Sequence, residues 1–148
     1  FGIIHFLQVI FESQRLLIPC IDQHDGILLK VEGDSFLVIF RSVAKAIDCS
    51  VAMQRLLKGY NQDRPEAERI LLCVGLGYGP VLRIGDADVF GAEVNAASKL
   101  GEDTARPWEI LVTESVKEGL GAGDGVGFEP IAEAPPGAKA AYRLRYTL

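Results

Sequence analysis

The sequence predicts an α+β fold, with helices packed on a mostly antiparallel sheet. Three observations predict it. Two strand-like apolar runs, residues 27–31 and 36–40, are separated only by the tight turn Glu32-Gly33-Asp34-Ser35. Strand-length runs then alternate with stretches of helical periodicity along the rest of the chain. A third apolar run, residues 70–78, is bared on one face by Gly75 and Gly77, with Gly79 just beyond, so another backbone or a ligand can approach it closely.

Each element follows from its residues. From about residue 2 to 22, Ile3, Phe6, Leu7, Ile10, Leu17 and Ile21 recur at helical spacing, and Pro19 is expected to kink or end that helix early. His24-Asp25-Gly26 turns the chain into the first strand. Ser42 suits the N-cap of a second helix, whose apolar side is read as Ala46, Cys49, Met53, Leu56 and Tyr60. Residues 61–68 are polar, contain Pro65 and form a loop. After the glycine-bared strand come a turn at Gly85-Asp86-Ala87 and a helix over residues 91–100. In that helix Asn95 and Lys99 share one face, while Val94, Ala97 and Leu100 face the sheet. Ile110-Leu111-Val112 is a strand, and Thr113 is the expected N-cap of a short helix running to Gly119. Two more strands, near residues 126–132 and 141–146, flank the loop Ala134-Pro135-Pro136-Gly137.

Composition narrows the function. The 148 residues suit one domain with a real core. A net charge of −5 without a Lys/Arg cluster speaks against nucleic-acid binding. No apolar run has membrane-spanning length and no signal peptide is visible, so no direct membrane insertion is expected. Cys20, Cys49 and Cys73 show neither a disulfide framework nor metal-ligand spacing, which points to a reducing cytoplasm. His5 and His24 read as partly exposed surface histidines without a ligating neighbour. The chain begins at Phe1 and its only methionine is Met53, so upstream residues are expected.

Two segments carry the chemistry. Asp34 puts a carboxylate at a hairpin tip, a natural place for a hard cation such as Mg²⁺, with Lys30 partway down the entering strand. Residues 88–100, Asp-Val-Phe-Gly-Ala-Glu-Val-Asn-Ala-Ala-Ser-Lys-Leu, begin in a strand-to-helix turn and put an amide and a cation on one helix face. Such a face suits a charged or ring-oxygen ligand.

Together these segments resemble the class III nucleotidyl cyclase catalytic domain, the family of adenylate and guanylate cyclases. The resemblance runs from about residue 3 to the C-terminus. It covers Lys-Val-Glu-Gly-Asp, the strand Val74-Gly75-Leu76-Gly77-Tyr78-Gly79, the Asp88 to Ser98 segment, Glu109-Ile110-Leu111-Val112-Thr113 and Ala141-Tyr142-Arg143-Leu144. It implies a single homology domain over residues 1–148, N-terminally incomplete, with a ferredoxin-like, palm-type sheet. The family's N-terminal central strand, with its first metal-binding aspartate, is missing from this sequence.

The resemblance further implies conversion of ATP to cyclic AMP and pyrophosphate at a homodimer interface. Asp34 corresponds to one of two aspartates holding a pair of Mg²⁺ or Mn²⁺ ions, which activate the ribose 3′-hydroxyl. Lys30 and Asp88 correspond to the pair that reads adenine. Lysine only donates and aspartate accepts from the exocyclic amine, the reverse of what guanine presents, which favours ATP over GTP. Asn95 corresponds to the ribose-orienting asparagine. Lys99 stands where the family has an arginine on the α-phosphate, and loss of the planar fork is expected to cost roughly 10- to 10³-fold in rate. The family's phosphate-binding lysine falls near Ala134-Pro135, where the nearby cation is Lys139. A sensor or regulatory segment upstream is expected from the same family.

Two other readings follow from the departures. One is a degenerate, non-catalytic cyclase homology domain that binds nucleotide or a partner. The other is a palm-like domain for a different phosphoryl transfer or for dimerisation, although Ser35 stands where a polymerase or diguanylate cyclase would carry a second acidic residue.

Overall fold

Asp25 stands at φ 59° between the first helix and the first strand, and Gly33 at φ 58° between the first and second strands, so left-handed residues set the first two changes of direction. The computed structural model describes residues 3–84, 88–120, 127–132 and 140–148, without the side chains of residues 3–7, 83, 84 and 88–90. The expected turn at Gly85-Asp86-Ala87, the loop Ala134 to Gly137 and Lys139 lie outside the described residues. The chain forms two compact units, residues 1–71 with Leu148, and residues 72–147.

The first unit is two helices and a hairpin. Helix α1 (Ile3–Gln23) continues through Pro19. The sequence reading expected Pro19 to kink or end this helix early; the last turn persists because Leu17, Cys20 and Ile21 are buried on both sides of the proline. Strands β1 (Ile27–Glu32) and β2 (Ser35–Ile39) pair antiparallel, with a register shift between Leu28 and Lys30. Helix α2 (Val43–Asn61) starts as expected, the Ser42 hydroxyl accepting from the Lys45 N–H at 3.0 Å.

The buried side of α2 is not the apolar stripe the sequence suggests. It runs Ile47, Cys49, Ser50, Gln54, Leu57 and Asn61, leaving Leu56 exposed. Two of these polar residues enter it with their hydrogen bonds met, one within the helix and one beyond it. The Ser50 hydroxyl donates to the Ala46 carbonyl, and the Asn61 amide both donates to and accepts from the Ile70 backbone, each at 2.8 Å. Cys20, Ile21 and Cys49 form a core cluster with Phe36, Val38, Phe40, Ala52 and Met53 packed on it.

The second unit holds a four-stranded sheet in the order β3-β6-β8-β7, from β3 (Val74–Leu76), β6 (Ile110–Thr113), β7 (Gly127–Pro130) and β8 (Ala141–Arg145). β3 and β6 are parallel and the other pairs antiparallel. The expected nine-residue strand at 70–78 is thus three residues long. Every residue of β6 is buried, as its central place demands. Strands β4 (Leu82–Ile84) and β5 (Asp88–Phe90) form a separate antiparallel pair leading into α3 (Ala92–Lys99). α3 runs on into a wider π-type turn, Leu100–Thr104, and α4 (Glu114–Leu120) follows β6. Mixed pairing with helices packed on sheet is the α+β architecture expected. Among the described residues no helix is long and apolar enough to cross a membrane.

Candidate active site

The hairpin of the first unit builds its polar tip from local geometry. Glu32 pairs with Ser35 across a two-residue loop, and Gly33, with no Cβ, takes the positive φ that such a loop requires at its first position. Asp34 follows and is exposed at the tip. Lys30 and Glu32 are two apart on one strand and therefore on one face. The Lys30 ammonium lies 2.8 Å from Glu32 Oε1. One of its three donors is thereby used, and the pair is a solvated one of small energetic weight.

In the second unit the polar face of α3 is fixed from behind. A Cβ on Gly75 would stand 2.2 Å from the Ala97 carbonyl oxygen, and one on Gly77 2.3 Å from that of Glu93. The glycine-bared strand is therefore filled by helix backbone. Glu93 adds a second fastening: its Oε1 accepts from the Tyr78 N–H at 2.9 Å and from the Thr113 hydroxyl at 2.6 Å. Thr113 directly precedes α4, where the sequence expects a cap, and its hydroxyl donates to Glu93, a partnership the sequence does not announce. The available signal was a carboxylate in the first turn of a helix facing a strand without side chains.

Locking this side turns Asn95 and Lys99 outward, both exposed and one turn apart. Ala96 and Leu100 are the fully buried residues of this segment; Val94 and Ala97 are only partly covered. Lys99 Nζ lies 3.1 Å from Asp103, in the π-type turn. Asp88 begins β5 opposite Ile84, and its side chain lies outside the described residues. Thus Lys30 and Asp34 share the first unit, and Asp88, Asn95 and Lys99 the second.

Asp34 offers one hard oxygen donor of the kind Mg²⁺ and Mn²⁺ prefer. Among the described residues no group of three ligating side chains forms around it. Asp34 therefore fits a divalent ion as one ligand of several rather than as a complete site.

The profile of the family described as "Adenylate and Guanylate cyclase catalytic domain" matches residues 1–134. The chain belongs to that family. The family's class of chemistry is cyclic nucleotide formation by a lyase reaction, generally with divalent metal ions. Over 105 residues the domain is 33% identical to "Putative adenylate cyclase 3" of Rhizobium meliloti, covering 71% of this chain and 18% of that protein. Over 102 residues it is 37% identical to "Serine/threonine-protein kinase pkn2" of Myxococcus xanthus, covering 69% of this chain and 12% of that one. The chain thus spans less than a fifth of either relative. Among solved structures it is similar to the adenylate/guanylate cyclase/hydrolase of Silicibacter pomeroyi, with 26% identity and a TM-score of 0.75 over 88% of this chain and 78% of the other.

Proposed function

We propose that residues 1–148 make up one cyclase homology domain that converts ATP to cyclic AMP and pyrophosphate as a homodimer. The outward polar face of α3 carries the reading. Asn95 and Lys99 are exposed together on a helix whose opposite side is fixed by glycines and Glu93. Such a face presents an amide to ribose and a cation to phosphate without paying for reordering on binding. Lys30 as donor and Asp88 as acceptor suit adenine, and Asp34 would be one ligand of the Mg²⁺ or Mn²⁺ ions, two per site. When bound, these ions neutralise triphosphate charge and make the 3′-hydroxyl a better nucleophile. A cytoplasmic setting and a regulatory segment outside these residues belong to the same reading.

One observation favours a second reading, a nucleotide-binding or partner-binding regulator without catalysis. Lys99, already a lysine where the family has arginine, is engaged by Asp103.

The test is cyclic AMP formation from ATP by the whole gene product with Mn²⁺, with GTP in parallel and Asp34→Ala as control. Cyclic AMP that vanishes in the control is the expected result. Cyclic GMP alone would overturn the roles of Lys30 and Asp88. A folded, ATP-binding dimer that makes no product would establish the regulatory reading, and a strict monomer in sedimentation with nucleotide would remove the homodimer.

A further inference from the structure

A second constellation stands inside the first unit, apart from the polar tip. The sequence reading found no ligating neighbour for His24, yet Cys20 precedes it by four residues, one helical turn, at the C-terminal end of α1. Cys49, from α2, completes a group of two thiols and one imidazole whose ligand atoms all lie within 4.8 Å of one another. Cys20 Sγ and His24 Nδ1 are 4.0 Å apart. A tetrahedral zinc with bonds of about 2.3 Å to sulfur and about 2.0–2.1 Å to nitrogen keeps such a pair about 3.6 Å apart, so the observed 4.0 Å is within about 0.4 Å of ligating geometry.

The surroundings choose the type of ion. Cys49 is fully buried, Cys20 is 7% exposed, and both pack among Ile21, Phe36, Val38 and Phe40. Here the thiols hold their protons: burial pushes Cys20 up and Cys49 up to about 12. Two bare thiolates would be costly, but two thiolates with one divalent ion sum to zero charge, which an apolar core tolerates. A monovalent soft ion would leave one negative charge uncompensated. Mg²⁺ and Ca²⁺ prefer oxygen ligands and are poorly served by sulfur. The Cys20 carbonyl, which has His24 Nδ1 at 2.8 Å and Cys49 Sγ at 3.8 Å, adds the negative end of the α1 dipole beside the group. Half-buried His24 links the group to solvent.

We propose that Cys20, His24 and Cys49 form a binding site for a zinc-class divalent ion, which ties the end of α1 to α2. On binding, both thiols release their protons to solvent, and the imidazole changes tautomer, its Nδ1 proton leaving to solvent as Nε2 takes one up, so that Nδ1 gives up its bond to the Cys20 carbonyl and turns a lone pair to the ion. Three protein ligands leave the fourth tetrahedral position to water or an outside ligand. The site is independent of any cyclase activity.

Co²⁺ titration of the whole protein, reduced and with excess Mg²⁺ to occupy hard-oxygen positions, tests it. The expected result is a sulfur-to-cobalt charge-transfer band that saturates at one equivalent per chain and is discharged by Zn²⁺. Cys20→Ser and Cys49→Ser should abolish the band, and Cys73→Ser should leave it intact. His24→Gln, at a half-buried position just beyond the end of α1, should retain a band but bind at least roughly 10-fold more weakly. Zn²⁺ should raise the Tm of the wild type more than that of His24→Gln, which keeps the test decisive if a buried cysteine variant fails to fold. No charge-transfer band, a band lost with Cys73, or equal affinity and equal Tm shift in His24→Gln would overturn the proposal.

Discussion

The two polar segments of this domain are built in opposite ways. The Lys30–Asp34 hairpin depends on itself: a two-residue loop, one left-handed glycine and a charge pair two residues apart. The face bearing Asn95 and Lys99 depends on distant residues, namely Gly75, Gly77, Tyr78 and Thr113, which hold the far side of α3. A change in the hairpin should therefore act on chemistry and spare the fold. A change behind α3 should reach the polar face through the packing.

The largest effect expected is from Gly77→Ala. Its Cβ would meet the Glu93 carbonyl at 2.3 Å, backbone that cannot yield cheaply. About 3 kcal/mol of stability should be lost, read as a lower denaturation midpoint. Gly33→Ala, with open space around it but a φ of 58°, should cost only about 1 kcal/mol. Equal losses would break the comparison.

Next comes Glu93→Ala, which strips the acceptor from the Tyr78 N–H and the Thr113 hydroxyl. It should cost about 1–3 kcal/mol. Glu93→Gln keeps an accepting oxygen and should recover most of that in the same denaturation experiment.

Lys99→Arg sharpens the comparison from the chemical side. If the domain is a cyclase, the planar fork should raise turnover by roughly 10-fold or more, with little change in Tm. A rise in stability without a rise in rate would mean that Lys99 serves Asp103 alone.

The smallest effect concerns the exposed Asp25–Lys45 pair, where the Lys45 ammonium holds the Asp25 carboxyl below its ordinary range. A depressed carboxyl contributes stability above its unfolded pKa, and that contribution is lost as pH falls through the folded value. Lys45→Met should lower Tm slightly at neutral pH and leave it almost unchanged at strongly acid pH, which flattens the acid limb of the Tm–pH curve.

How much of this was legible in the sequence depends on the range of the forces involved. The hairpin, the Ser42 cap and the shared face of Asn95 and Lys99 follow from rules a few residues long, and all appear where expected. The glycine run announced a close approach, and α3 makes it. What escaped the sequence depends on partners far along the chain. The buried stripe of α2 accepts Gln54 and Asn61, the latter through Ile70. Pro19 stays helical because of what packs on either side of it. The partners of Glu93, Tyr78 and Thr113, lie 15 and 20 residues away, and Cys20, His24 and Cys49 converge only when α1 lies on α2. The pairing of Lys99 with Asp103 is local, but it needed the π-type turn to form.

The central strand β6 sets a timetable for folding. Its partners, β3 and β8, come from sequence about thirty or more residues away on either side. Closing those loops costs chain entropy before any ladder bond returns it, whereas β1 and β2 meet across two residues. A growing or refolding chain should therefore form the hairpin early and the four-stranded sheet late. The polar face of α3, which needs β3 and Thr113 of β6 in place, is then among the last features to form.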